Sequence, residues 1–244
     1  MTRTASWLAL LAVLLPATAG AAAATPFQAR CEARQLGLDT DRPPTGTVVE
    51  SRDSGYRVDN SLSWRTLTRI KPEGGGGVVL GLTRAESRVA ISVEGAIVAS
   101  PDTPEECLLP RIHVSLSYPA IVIYVGSEFV PGSCAYREIL AHEMRHLKAY
   151  VDFLPKVERR VRATLGRRFD ARPVYAARGQ SLGRVRAELD ERWMPFIKRD
   201  MAQAKALQAA IDSTGEYARL SKVCQGEVQS LIGSTRRSRS SSSS

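Results

Sequence analysis

Behind Ser133 the apolar residues Ile139, Leu140, Leu147, Tyr150, Phe153, Leu154, Val157, Val161 and Leu165 recur with a helical period. This stripe constrains the fold more tightly than any other stretch of the 244-residue chain. Ser133 follows the turn residues Pro131 and Gly132 and is a natural N-cap, so a helix is expected from Cys134 to Leu165. His142, Glu143 and His146 fall within it in the pattern HExxH. Residues four apart stand one above the other on a helix, so the two imidazoles face the core together and can grip one metal ion. Imidazole nitrogen suits Zn²⁺, which in catalytic sites keeps three protein ligands and a water. Glu143 lies beside that face, placed to accept the proton of such a water, and the chemistry expected is hydrolysis, usually of an amide. The competing reading is a pair of core histidines satisfied by backbone or carboxylate partners.

The rest of the chain frames that helix. Residues 1–24 carry one early charge at Arg3, an apolar run from Trp7 to Leu15, Pro16, and then Ala22, Ala23 and Ala24, the pattern of a cleaved secretory signal. No later run approaches the roughly 18 apolar residues of a membrane helix, so a secreted or periplasmic protein without a membrane span is expected. Residues 25–231 are expected to form one α+β domain, β-rich over 25–130 and helical over 131–231. Val78–Leu82, Arg88–Val93 and Ala96–Ala99 read as short strands, and Arg111–Val125 as two better ones, with His113 on a polar face as a surface histidine. Gly74–Gly77 reads as a hairpin loop. Helices are expected at Cys134–Leu165, Ser181–Ile211 and Thr214–Leu231, the last opened by a capping box of Ser213 and Glu216. Residues 232–244, rich in Arg and Ser, are expected to be disordered.

Four cysteines, Cys31, Cys107, Cys134 and Cys224, in an exported chain argue for two disulfides. Cys134–Cys224 is the favoured pair, because it would tie the HExxH helix to the last one. The formal net charge of +9 falls to +5 once Arg3, Arg236, Arg237 and Arg239 are set aside. With no interleaving of aromatic and basic residues, nucleic acid is excluded as a partner, and weak attraction to anionic envelope surfaces is the most the charge implies.

The apolar run Ala120–Val125, the segment PGSCAYREILAHEMRH and the helices ending near Cys224 resemble the zincin metallopeptidases and, around the motif, bacterial secreted proteins described as zinc-dependent proteases. The resemblance spans Arg111 to Gln229, and HExxH is its diagnostic part. It implies a zincin-like fold, Zn²⁺ as cofactor and a peptide or protein substrate. His142 and His146 would be ligands and Glu143 the general base. It also implies a strand bordering the metal helix that binds substrate in extended form, with the two strands of Arg111–Val125 as candidates. Arg145 and Lys148 stand where zincins are uncharged.

No third histidine follows the motif, so the third ligand is expected to be a carboxylate. Asp152 holds the position that metzincins use, but on an unbroken helix it lies about 240° round from His146. Glu188 and Glu191 suggest themselves by analogy with gluzincins. In a straight antiparallel hairpin joined between Gly166 and Ser181, however, Met144 is level with roughly residue 203. That leaves Glu188 and Glu191 about 18–22 Å away, Asp212 about 14 Å and Asp200 about 4.5 Å. Asp200 also breaks the apolar stripe of its own helix, and a buried carboxylate needs a partner. Asp200 is therefore the expected ligand, with Asp212 and Asp152 as alternatives and an arginine as its alternative partner. Tyr136, Tyr150 and Tyr217 are candidates for stabilising an oxyanion. The expected function is a secreted zinc metallopeptidase. The rival is an envelope binding protein whose HExxH helix is structural or holds a metal without catalysis.

Overall fold

The computed structural model describes residues 24–38, 46–71 and 77–240. All but the last residue of the expected signal segment, and Gly74–Gly76 of the expected loop, lie outside them. In chain order the elements are α1 (Pro26–Gln35), β1 (Thr47–Asp53), β2 (Tyr56–Asp59), α2 (Trp64–Ile70), β3 (Gly81–Arg84), β4 (Arg88–Ala99), β5 (Glu105–Tyr118) and β6 (Ile121–Val125). Then follow α3 (Cys134–Phe169), β7 (Val174–Ala177), α4 (Ser181–Glu188), α5 (Met194–Ala202), α6 (Ala204–Ile211), α7 (Thr214–Lys222) and α8 (Glu227–Ser240). The fold is α+β, with strands gathered before α3 and helices after it. Among the described residues no helix is long and apolar enough to cross a membrane.

Alternation makes β5 the central strand. Leu108, Ile112, Val114, Leu116 and Tyr118 are buried in the main core, while Cys107 and Leu109 face the opposite side. β4 pairs antiparallel along the whole of β5; on the other side come β7, antiparallel, and then β1, parallel. A second sheet has the order β2, β6, β3, with β3 antiparallel to β6. Under both lies α3, capped by the Ser133 side chain as expected. Leu147, Phe153, Leu154, Val157, Val161, Leu165 and Phe169 pack against β5 and against Val185, Leu189, Trp193, Ile197 and Met201 of the following helices. Each such burial contributes about 1.5–3 kcal/mol. Ala135 and Ile139 begin a second core with Val125, Phe129 and Val228. A third joins Phe27 to Leu109 around the Cys31–Cys107 disulfide. The other disulfide, Cys134–Cys224, is the favoured pairing.

Five expectations need correction, one of them the helix expected at Thr214–Leu231, which breaks after Lys222 at the extended Val223 and the left-handed Cys224 and Gln225 before α8 begins. The N-terminal part contains two helices: α1, capped by Thr25 with Pro26 in its first turn and Gln28 closing a capping box, and α2, capped by Ser63. Both are too short to show a periodic stripe, and their caps were the legible sign. Arg88–Val93 and Ala96–Ala99 form one strand, β4, which passes over Leu109 at Gly95, where a Cβ would stand 2.0 Å from the Leu109 carbonyl oxygen. The run Ser181–Ile211 is interrupted by a π turn at Leu189–Trp193, just before Pro195, and again at Gln203. In that turn the Met194 N–H bonds to Leu189 O, and the wider turn suits a proline that would crowd the carbonyl four residues back. Finally, α8 continues to Ser240, so the segment expected to be disordered is helical to that point. A polar composition excludes a core but does not prevent a helix anchored at Val228 from running on.

Candidate metal centre

α3 carries His142, Glu143 and His146 at one level, all buried. The third group arrives from the far end of α6. That helix stops at Asp212, whose ψ of 45° leaves the helical range, and α7 restarts behind it with Ser213 as its N-cap. The Asp212 carboxylate consequently projects from a helix end toward α3. Its Oδ1 lies 3.2 Å from His142 Nε2 and 3.2 Å from His146 Nε2, and the two Nε2 atoms are 3.1 Å apart. Donors at 2.0–2.1 Å around a tetrahedral Zn²⁺ stand about 3.3 Å from one another. Two imidazoles and a carboxylate in a triangle of this size fit zinc in both geometry and donor chemistry.

A second layer orients the donors. His142 Nδ1 lies 3.2 Å from Glu216 Oε1, and His146 Nδ1 lies 2.6 Å from Gln208 Oε1. The Gln208 acceptor at His146 Nδ1 favours the tautomer whose Nε2 lone pair points into the triangle, whereas His142 Nδ1 meets both the Glu216 acceptor and the Arg145 donor. Arg145 contacts His142 Nδ1 at 2.8 Å and pairs with Glu216, which also holds Arg219; Arg219 reaches back to Glu138 on α3. The hydrogen bonds from Arg219, followed by those from His142 and Arg145, bring the Glu216 carboxyl down to about 2. The charge at Arg145 thus has a partner in the site's own support. Lys148 instead pairs with Asp152 at 2.7 Å on the exposed side of α3, which removes Asp152 from the centre.

Glu143 sits under β3. The Thr83 hydroxyl lies 2.8 Å from its Oε2 and 3.0 Å from its carbonyl oxygen, and a Cβ on Gly81 would meet Glu143 Oε1 at 2.7 Å. Burial pushes the Glu143 carboxyl up, although His146, His142 and Thr83 pull the other way. Burial also opposes ionisation of Asp212, but hydrogen bonds and charge from the two histidines outweigh it and leave that carboxyl well below its usual range. For His146 burial disfavours the charged ring, yet Asp212, Glu143 and Gln208 raise it overall. Among the described residues the other group with metal-binding spacing is Cys134, Cys224 and Glu227, whose sulfurs are already joined in a disulfide.

Asp200 is not at the centre. It is buried, and Arg160 grips it with Nε 3.1 and 3.0 Å from Oδ1 and Oδ2 and Nη2 2.8 Å from Oδ1. The straight-hairpin level fails because α3 runs on to Phe169 and the strand β7 intervenes before α4, so the two helices do not join at Gly166 and Ser181 as a simple hairpin would. The contacts Arg168–Glu188, Arg160–Asp200 and His146–Gln208 all show a register displaced by roughly ten residues from the straight model.

No protein-family model, curated protein or solved structure matches this chain.

Other expected residues have other places. His113 lies on the outer face of β5 with Nε2 3.4 Å from Glu94. Tyr150 stacks edge-on against Tyr118, and Tyr136 packs against the second core. Tyr217 is the phenol of the three that meets the centre: burial raises its pKa, as do the neighbouring carboxylates Asp212 and Glu143. The strand that touches Glu143 is β3, while β6, from Arg111–Val125, packs on α3 through Val125 and Ile139. Gln208 lies on α6, Asp212 at its end and Glu216 on α7, so no helical periodicity unites them, and nothing local pointed to Thr83 or Gly81.

Proposed function

We propose that this protein is an exported zinc-dependent hydrolase acting on peptides or proteins. The observation that carries the reading is the triangle of His142, His146 and Asp212 with Glu143 buried on the same helix. These three side chains would hold Zn²⁺, which when bound lowers the pKa of a coordinated water and polarises a carbonyl. Glu143, its carboxyl raised by burial, is suited to take a proton from water and pass it to a leaving amine. Thr83 holds that carboxylate in place. Tyr217, whose hydroxyl is held protonated by burial and by the Asp212 and Glu143 carboxylates, offers a phenolic donor for the oxyanion. Leu80 O accepts from Gly126 N–H, and Leu82 stands opposite Tyr124. By alternation Gly81 and Thr83 turn their backbone groups to the other edge of β3, where an extended chain can pair. Two disulfides suit an oxidising compartment.

A non-catalytic zinc-binding protein of the envelope is the second reading, favoured by the 4% exposure of Glu143. Elemental analysis of the oxidised protein should find one zinc per chain, lost in His146→Ala and Asp212→Ala. Glu143→Gln should keep the zinc and lose a factor of about 10²–10⁴ in peptide hydrolysis. Zinc bound with no hydrolysis across a broad peptide library would decide for the second reading.

A further inference from the structure

The supporting groups Gln208, Asp212 and Glu216 all lie on one arm, α6–α7, and this arm is thinly anchored. Across 204–222 the fully buried residues are Ala204 and Leu220, while Leu207 and Tyr217 are each 40% exposed. Its ion pair to α3 outside the centre, Arg219–Glu138, is solvent-facing, and such pairs hold little. Beyond α7 the arm is fastened to the first turn of α3 by the Cys134–Cys224 disulfide, beside which Glu227 accepts the Ala135 N–H. At this point the backbone is held in an unfavourable conformation, with φ of 59° at Cys224 and 54° at Gln225, a region that residues with a Cβ avoid.

The two disulfides differ in access. Cys31 and Cys107 are both 0% exposed within the third core, whereas Cys134 is exposed and Cys224 partly so. Thiol–disulfide exchange requires an attacking thiolate to reach a sulfur, so a dithiol reductant reaches one bridge and not the other. In that exchange the Cys134–Cys224 S–S bond breaks and two thiols form. The dithiol closes to its own disulfide, and two electrons and two protons pass to the protein. Freed of the bridge, Cys224 and Gln225 can leave the left-handed region, and α7 loses its covalent tie to α3.

We propose that the Cys134–Cys224 disulfide is a redox latch on the metal centre: the oxidised chain presents Asp212 to the two histidines, and reduction releases the arm that carries it. This rests on the zinc-binding reading above. Apparent affinity falls in proportion to the fraction of chains with the arm in place. The test measures Zn²⁺ affinity by chelator competition for the oxidised wild type, Cys134→Ser/Cys224→Ser and Cys31→Ser/Cys107→Ser, serine being used so that no new thiolate binds zinc. A loss of tenfold or more in the first variant, with the second within threefold of wild type, supports the latch. Equal affinity in wild type and the first variant overturns it and leaves the metal centre standing, whereas failure of the wild type to bind zinc removes the zinc reading itself. Hydrogen exchange without added metal gives an independent readout. Faster exchange confined to 204–222 in Cys134→Ser/Cys224→Ser supports the latch, and uniform acceleration through α3 and β5 overturns it.

Discussion

At the scale of single residues, the alternative carboxylate, Asp212, stands in the place expected of Asp200, twelve positions earlier. Asp200 is a structural acid whose charge is met by Arg160, and Asp212 is the one that reaches the histidines. Asp200→Ala should therefore lower stability by about 1–2 kcal/mol, a figure discounted because Arg160 is half exposed and can be rehydrated. Zinc stoichiometry should not change; loss of zinc in a folded Asp200→Ala protein would refute this division of roles. Gly81 is fixed by lack of room. A methyl there would meet Glu143 Oε1 at 2.7 Å and Ile139 Cγ2 at 2.8 Å, so either β3 or Glu143 must shift. Gly81→Ala should reduce hydrolysis tenfold or more while zinc stays bound, as steady-state kinetics and metal analysis on one preparation would show.

At the scale of elements, the chain uses distant side chains to finish helices whose own sequence does not. Gln180 precedes α4 and makes no side-chain cap, but Glu106 of β5 accepts from Gly179 N at 2.8 Å, Ser181 N at 2.9 Å and Ser181 Oγ at 2.6 Å. These bonds, led by the one from Gly179, hold its carboxyl below the ordinary 4.5. The unfolded chain then binds the proton more readily than the folded one. The stabilisation is complete above the ordinary range and is lost as pH falls through it toward the depressed value. Thermal melts should show wild type losing more stability than Glu106→Gln between about pH 5 and pH 3. An identical slope for both proteins would exclude Glu106 as a source of acid lability. No window of sequence around α4 could reveal this cap, because its partner is 75 residues away.

At the scale of the whole molecule, three cores lie along β5 and α3, and the buried disulfide closes the third, to which α3 contributes no residue. Removing Cys31–Cys107, which spans 76 residues, should cost about 2–4 kcal/mol in denaturant unfolding without displacing zinc. The sequence by itself determined what depends on neighbours along the chain: the long helix from its stripe and Ser133 cap, the coaxial histidines with Glu143 beside them, and the alternation that builds β5. It also contained the caps of α1 and α2, although these do not reveal themselves through periodicity. What only the tertiary structure decided is which carboxylate completes the triangle and which strand covers Glu143. Those depend on how far each residue advances along its path. Four further residues on α3 and the strand β7 between it and α4 shift the register from the start of the returning helices, and the helix end at Asp212 then turns its carboxylate toward His142 and His146.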